Sequence, residues 1–172
     1  VLLRKWLSGW PPQAQSRLVA ERKAGGNGAC ICRQPPCASF VFFYLGASTY
    51  ATGLGGASQK WFIETYRRGG IAFDRIFAWE PQQKRDEDIF KHAPPEIVSI
   101  TSYYNVAVDA TPNAKHNPLR TLRLTARRKD FVVIKIDIDH PPIEEAILLQ
   151  ILEDEQLSDL IDELYFEHHV WR

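Results

Sequence analysis

Short apolar runs separated by polar, helix-periodic stretches organise the chain from residue 40 onward, and this alternation predicts the strands and helices of an α/β sheet. Five runs are expected as strands, at 40–45, 75–79, 104–108, 132–137 and 164–168. The first is apolar throughout and the fourth is broken only by Lys135, the pattern of parallel strands covered on both faces by helices. Helices are expected over 58–68, where Trp61, Phe62, Thr65 and Tyr66 fall at helical spacing, and over 143–152, where Ile143, Ile147, Leu148 and Ile151 make one stripe. Pro141 and Pro142 suit the first turn of the second helix, where a missing amide hydrogen does no harm. A further helical turn or two is expected over 156–162.

Residues 1–38 follow no such pattern. Trp10-Pro11-Pro12, Gly25-Gly26-Asn27-Gly28 and Pro35-Pro36 interrupt them, and only 16–23 can form a short helix, so an irregular arm is expected ahead of an α/β domain over 39–172. Neither an internal repeat nor a low-complexity tract is visible. At 172 residues and 45% hydrophobic content the chain can build one domain's core, which excludes disorder along its whole length. Lys plus Arg and Asp plus Glu both number 21, so no net field draws it to nucleic acid or an anionic membrane, and a partner must be chosen by a local site. Apolar runs such as 131–134 fall far short of the roughly 20 residues that a membrane-spanning helix requires. The chain begins at Val1 and contains no methionine, so it reads as a piece of a longer or processed protein. No basic, then apolar, then small-residue order marks a secretory leader, and compartment is unconstrained. Cys30 and Cys32 are spaced too tightly for a zinc knuckle, and with Cys37 they still lack a fourth ligand, so the three are read as free thiols in a loop rather than a metal site.

Chemistry is expected at four places. The stretch from Tyr44 through Gly46-Ala47-Ser48 to Gly53 and Ser58 follows an apolar strand and precedes an amphipathic helix. Glycines there allow sharp turns and close backbone approach to a ligand, and the helix start offers free amides; the alternative is a loop that only turns the chain. Glu80, in Trp79-Glu80-Pro81 at the end of the second strand, is placed to accept hydrogen bonds from ribose hydroxyls, or is an ordinary loop acid. Asp137 and Asp139 end the fourth strand and share a face if it continues; they can hold a divalent metal, orient a substrate hydroxyl, or cap the helix near Pro141. At the last strand, Glu167, His168 and His169 supply acid and imidazole, of which only alternate residues converge.

Taken in order, these landmarks from about residue 40 to 170 resemble the class I S-adenosylmethionine-dependent methyltransferases, and among them the FkbM-type proteins. Leu45-Gly46-Ala47 with Gly53 matches the family's D-x-G-A-x-x-G loop, Trp79-Glu80-Pro81 its E-P pair, Lys135-Ile136-Asp137 its K-x-D, and Glu144 with Glu167-His168 its later acids and terminal strand. The resemblance implies a Rossmann-like three-layer α/β/α fold with a mostly parallel sheet, ending after the fifth strand. It implies that Gly46, Ala47, Ser48 and Gly53 cradle the methionine part of S-adenosylmethionine, that Glu80 holds the ribose, and that Asp137 and His168 are the catalytic residues for methyl transfer to an oxygen of a small-molecule or glycan acceptor. Three departures stand out: Tyr44 replaces the aspartate that ends strand one, Tyr50 stands where the loop's last glycine would fall, and His140-Pro141-Pro142 replaces a glycine segment. Two other readings remain. Asp137-Ile138-Asp139 looks like the D-x-D with which nucleotide-sugar glycosyltransferases bind Mn²⁺, and the absence of a carboxylate at Tyr44 suits a methyltransferase-like module that binds without turnover.

Overall fold

The all-apolar run Phe40–Leu45 becomes β1, the middle strand of a five-stranded sheet, in the computed structural model of the chain, which describes residues 39–51 and 58–166. After β1 come α1 (Gln59–Arg68), β2 (Arg75–Trp79), α2 (Asp86–Ile89), α3 (Pro95–Ile100) and β3 (Thr101–Tyr104). The second half adds α4 (Pro118–Thr125), β4 (Phe131–Ile136), α5 (Pro141–Glu153), α6 (Glu155–Ser158) and β5 (Glu163–Phe166). Strand order is β3-β2-β1-β4-β5 and every neighbouring pair is parallel, a Rossmann-like α/β arrangement. The order reverses between β1 and β4, and in open parallel sheets that switch point opens a crevice outside the strand carboxyl ends.

Alternation along the strands sorts the core into two layers. Phe43, Leu45, Phe77, Trp79, Ile134 and Ile136 face α4, α5 and α6, where Leu119, Leu122, Ile147, Ile151 and Leu157 meet them. On the other face Phe42, Tyr44, Ile76, Ala78 and Val133 pack against Phe62 and Ile63 of α1 and Ile97 of α3. Phe42 and Phe43 are completely buried, and each such side chain stabilises by about 1.5–3 kcal/mol relative to exposure.

Several boundaries differ from the sequence expectation. The third strand lies at Thr101–Tyr104, so only Tyr104 of the expected 104–108 belongs to it. Val106 and Val108 are apolar because they pack over the core from the following loop, and that burial mimics strand alternation. The fourth strand starts at Phe131 and stops at Ile136, leaving Asp137 just outside it. The fifth is Glu163–Phe166, and its expected extension through 168 lies outside the described residues, as do the arm at 1–38 and the three cysteines. Helix α5 begins at Pro141, while the turn expected over 156–162 is confined to Glu155–Ser158. Helix α4, unforeseen, starts at Asn117-Pro118: the Asn117 side chain accepts from Leu119 N at 2.8 Å and proline occupies the first turn.

Acids fix the amino ends of the strands. Asp74, just before β2, accepts from Phe40 N at 2.7 Å; Asp130, just before β4, accepts from Ser39 N at 3.1 Å; Asp162, just before β5, accepts from Val132 N at 2.8 Å. Each ties the start of one strand to its neighbour, which sets register. At the same end, Glu163 of β5 accepts from the phenols of Tyr66 on α1 and, at 3.0 Å, of Tyr165. Burial first, and then the Glu163 charge, push the Tyr66 phenol far above its ordinary value of 10.0. The native phenol therefore keeps its proton where the unfolded one releases it. Its contribution to stability is full below about pH 10 and is lost progressively as pH rises beyond that. Urea midpoints should accordingly fall between about pH 9 and 11 more steeply in the wild type than in Tyr66→Phe, and equal slopes would remove Tyr66 as the cause.

Candidate functional site

Three of the residues singled out in the sequence come from three different strands and meet at the carboxyl edge of the sheet, beside the switch point. Gly46 follows β1, Glu80 follows β2 and Asp137 follows β4. Gly46 turns the chain with φ +86°, and its amide and that of Ala47 both donate to Trp79 O, at 3.0 and 2.9 Å. A Cβ on Gly46 would lie 1.6 Å from the carbonyl oxygen of Asp137, so the absent side chain serves a close backbone approach between the two loops. Asp137 N donates back to Leu45 O at 3.0 Å. Glycine is needed at this position by the packing of β1 against β4, independently of any ligand.

Ser48 follows in a left-handed conformation, φ +49°. Its amide donates to Glu80 Oε2 at 2.8 Å, and its carbonyl accepts from the Tyr103 hydroxyl at 2.6 Å. Ala47 O accepts from the buried Gln59 side chain of α1 at 3.1 Å. The amides of Gly46, Ala47 and Ser48 are thus all bonded to protein acceptors. At the start of α1, Lys60 N donates to Tyr50 O at 2.9 Å and Trp61 N to the Ser58 hydroxyl at 3.3 Å. Two of the amides expected to be open at that helix start are therefore engaged, one by Tyr50 and one by Ser58. Gly53 and His168 lie outside the described residues.

Glu80 is 8% exposed. Its second oxygen accepts from Gln82 N at 2.9 Å, so the carboxylate clips the loop after β1 to the loop after β2. Asn105, immediately beyond β3, donates its side-chain amide to Glu80 O and Gln82 O at 2.9 and 2.7 Å. Burial, and next the nearby Glu80 charge, raise the Tyr103 phenol above its ordinary value. Tyr103 and Asn105 escaped the sequence reading because β3 was placed too late; the signal was the Thr101-Ser102-Tyr103-Tyr104 run of strand formers halted by Asn105.

Asp137 pairs with the ammonium of Lys135, two residues earlier on β4, whose side chain is only 7% exposed. Lys135 also donates to the Tyr44 hydroxyl at 3.2 Å and lies 4.7 Å from the centre of the Tyr44 ring. The phenol that replaces the expected aspartate at the end of β1 is therefore part of a Tyr44-Lys135-Asp137 cluster across two adjacent strands. An ammonium stands at Asp137 where the D-x-D reading would place a divalent cation, and Asp139 does not continue the strand but turns left-handed at φ +59°. The capping expected of Asp139 is corrected too: His140 occupies the cap position of α5 without a side-chain bond, and Glu144, 1% exposed, reaches back to accept from Ile138 N and Asp139 N at 2.7 and 3.2 Å. Among the described residues, no group of three or more His, Cys, Asp or Glu is arranged to hold a metal ion.

Two cavities lie elsewhere on the molecule, one of about 200 Å³ between Asn117, Arg123 and Asp154 and one of about 300 Å³ between Arg67, Phe73 and Ile97. Neither is lined by Gly46, Glu80 or Asp137. Among the described residues, no helix is long and apolar enough to cross a membrane. No family model, no curated protein and no solved structure matches the chain.

Proposed function

We propose that the domain binds S-adenosylmethionine across the carboxyl ends of β1, β2 and β4 and transfers its methyl group to an oxygen of a small-molecule or glycan acceptor. The observation that carries this reading is the meeting of Gly46, Glu80 and Asp137 at the switch point of a parallel sheet, where ligands of such sheets bind. Glu80 fits a ribose. Each of its oxygens accepts one backbone amide, and a carboxylate oxygen has a second lone pair with which to accept a hydroxyl. The backbone of Gly46, Ala47 and Ser48 fits the methionine part less well, since its amides are already bonded within the protein. These residues act by shaping the loop that holds Glu80 in place.

When bound, the cofactor supplies an electrophilic methyl group on a sulfonium. The chain has two tasks beside it: holding the acceptor oxygen in line and taking up or sharing its proton. Asp137 is the group for the second task, with Lys135 and Tyr44 fixing its carboxylate at the end of β4.

Equilibrium binding of S-adenosylhomocysteine tests the reading, beside a sugar nucleotide with and without Mn²⁺. Saturable, metal-independent binding of the adenosyl ligand is expected, weakened about tenfold or more in Glu80→Ala, as for loss of a hydrogen-bonded charged partner. Glu80→Gln, which keeps one acceptor oxygen, should lose less. Mn²⁺-dependent binding of the sugar nucleotide would replace the reading with glycosyl transfer, and adenosyl binding without turnover on any acceptor would leave a binding module.

A further inference from the structure

One buried donor at this edge is unexplained by the bonding of the described residues. Among the described residues, Trp79 Nε1 is the buried side-chain polar atom with no hydrogen-bond partner, and the residue is 1% exposed. An indole N–H can only donate, and a donor left buried and unpaired costs about 1–3 kcal/mol, so its retention calls for an acceptor that the described residues do not supply. Trp79 is the last residue of β2 and immediately precedes Glu80. Its ring stands between two others, stacked on Phe43 at 6.1 Å and 12° and on Tyr104 at 4.7 Å and 20°. Val106 and Val108, from the loop after β3, pack over the same layer.

We infer that the Trp79 indole N–H donates to a ring nitrogen of the purine whose ribose is held by Glu80. The inference rests on the adenosyl reading above and extends it from the sugar to the base. Successive residues of a strand project to opposite faces, so Trp79 and Glu80 straddle the end of β2. A nucleoside laid across that end presents its ribose hydroxyls to the carboxylate and its base to the opposite side. The aromatic and aliphatic surroundings select the acceptor. A neutral, planar heterocycle satisfies the donor without bringing a charge into an apolar layer, whereas the ammonium and sulfonium of the cofactor are cationic and cannot accept. The row of parallel rings, Phe43, Trp79 and Tyr104, holds the indole in one orientation, which gives a single donor its selectivity.

The test is calorimetric titration of the full chain with S-adenosylhomocysteine and with its 1-deaza, 3-deaza and 7-deaza analogues, each replacing one ring nitrogen by C–H, repeated on Trp79→Phe. One analogue should bind the wild type about tenfold more weakly than the parent, the worth of a hydrogen bond to a buried donor, while the other two stay close to it. Trp79→Phe should bind the parent about tenfold more weakly and lose the discrimination against that analogue. The wild-type series needs no variant, and a melting curve of Trp79→Phe separates lost contact from lost fold. If the wild type binds the parent but treats all three analogues alike, or if a folded Trp79→Phe binds as tightly as wild type, the role of Trp79 is overturned while the adenosyl site stands. If a folded wild type binds neither parent nor analogues, the adenosyl site itself falls and the base contact with it.

Discussion

Gly46→Ala should destabilise the domain by about 3 kcal/mol or more, the sum of a left-handed conformation costing roughly 1–2 kcal/mol and an overpacked contact costing roughly 1–3 kcal/mol. Both terms come from one position. The backbone of Gly46 sits at φ +86°, and the added methyl carbon would be placed 1.6 Å from the Asp137 carbonyl oxygen, a backbone atom that cannot swing aside as a side-chain tip can. Relief requires the β1 and β4 loops to separate, which strains the Asp137 N to Leu45 O bond and the two amides donated to Trp79 O. Gly70 provides the control. It has nearly the same conformation, φ +83°, but nothing within 4 Å of its missing Cβ, so Gly70→Ala should cost only the conformational part, about 1–2 kcal/mol. Urea denaturation of the two variants side by side measures the difference. Equal losses would mean that the loops part freely and that the tight approach at Gly46 contributes nothing.

Lys135→Met should cost about 3–5 kcal/mol, because it takes the ammonium from the largely buried Asp137 carboxylate that it pairs with. The Lys135 and Asp137 side chains are 7% and 14% exposed, so solvent offers Asp137 little replacement for the ammonium. Exposed pairs such as Arg85 with Glu87, at 73% and 69%, are not comparable, and breaking them should cost about 1 kcal/mol or less. Adding Asp137→Asn to Lys135→Met removes the stranded charge and should restore half or more of the lost stability. A double-mutant cycle in urea gives the coupling directly. Strictly additive losses would show that the two groups do not depend on each other and would remove Lys135 as the residue that holds Asp137 in place.

These two expectations also mark where sequence reading succeeds and where it stops. Gly46, Glu80 and Asp137 were each found by a local rule, a glycine after an apolar strand or an acid at a strand's end, and the structure places all three at one edge. Their long-range partners were invisible to such rules. Glu80 meets Ser48 across 32 residues and Lys135 meets Tyr44 across 91, separations at which no periodicity or spacing in the chain reports a contact. Tyr44 is the clearest instance. Along the sequence it reads as a missing carboxylate, yet in the fold its hydroxyl and ring both engage Lys135. Val106 and Val108 failed in the opposite direction, since burial from a loop produced the alternation that a strand would.

By itself the sequence determined the layered α/β architecture, because the run Phe40–Leu45, and Phe131–Ile136 but for Lys135, are too apolar to lie anywhere except between two layers of helices. It also picked out Gly46, Glu80 and Asp137 at the ends of β1, β2 and β4, since a turn glycine or a strand-terminal acid acts on its immediate neighbours. Only the tertiary structure decided the strand order that brings β1, β2 and β4 side by side, the use of the loop amides by the protein's own acceptors, and the buried Trp79 indole donor left without an acceptor among the described residues. Each of these depends on which surfaces meet, and that follows from the packing of the whole sheet.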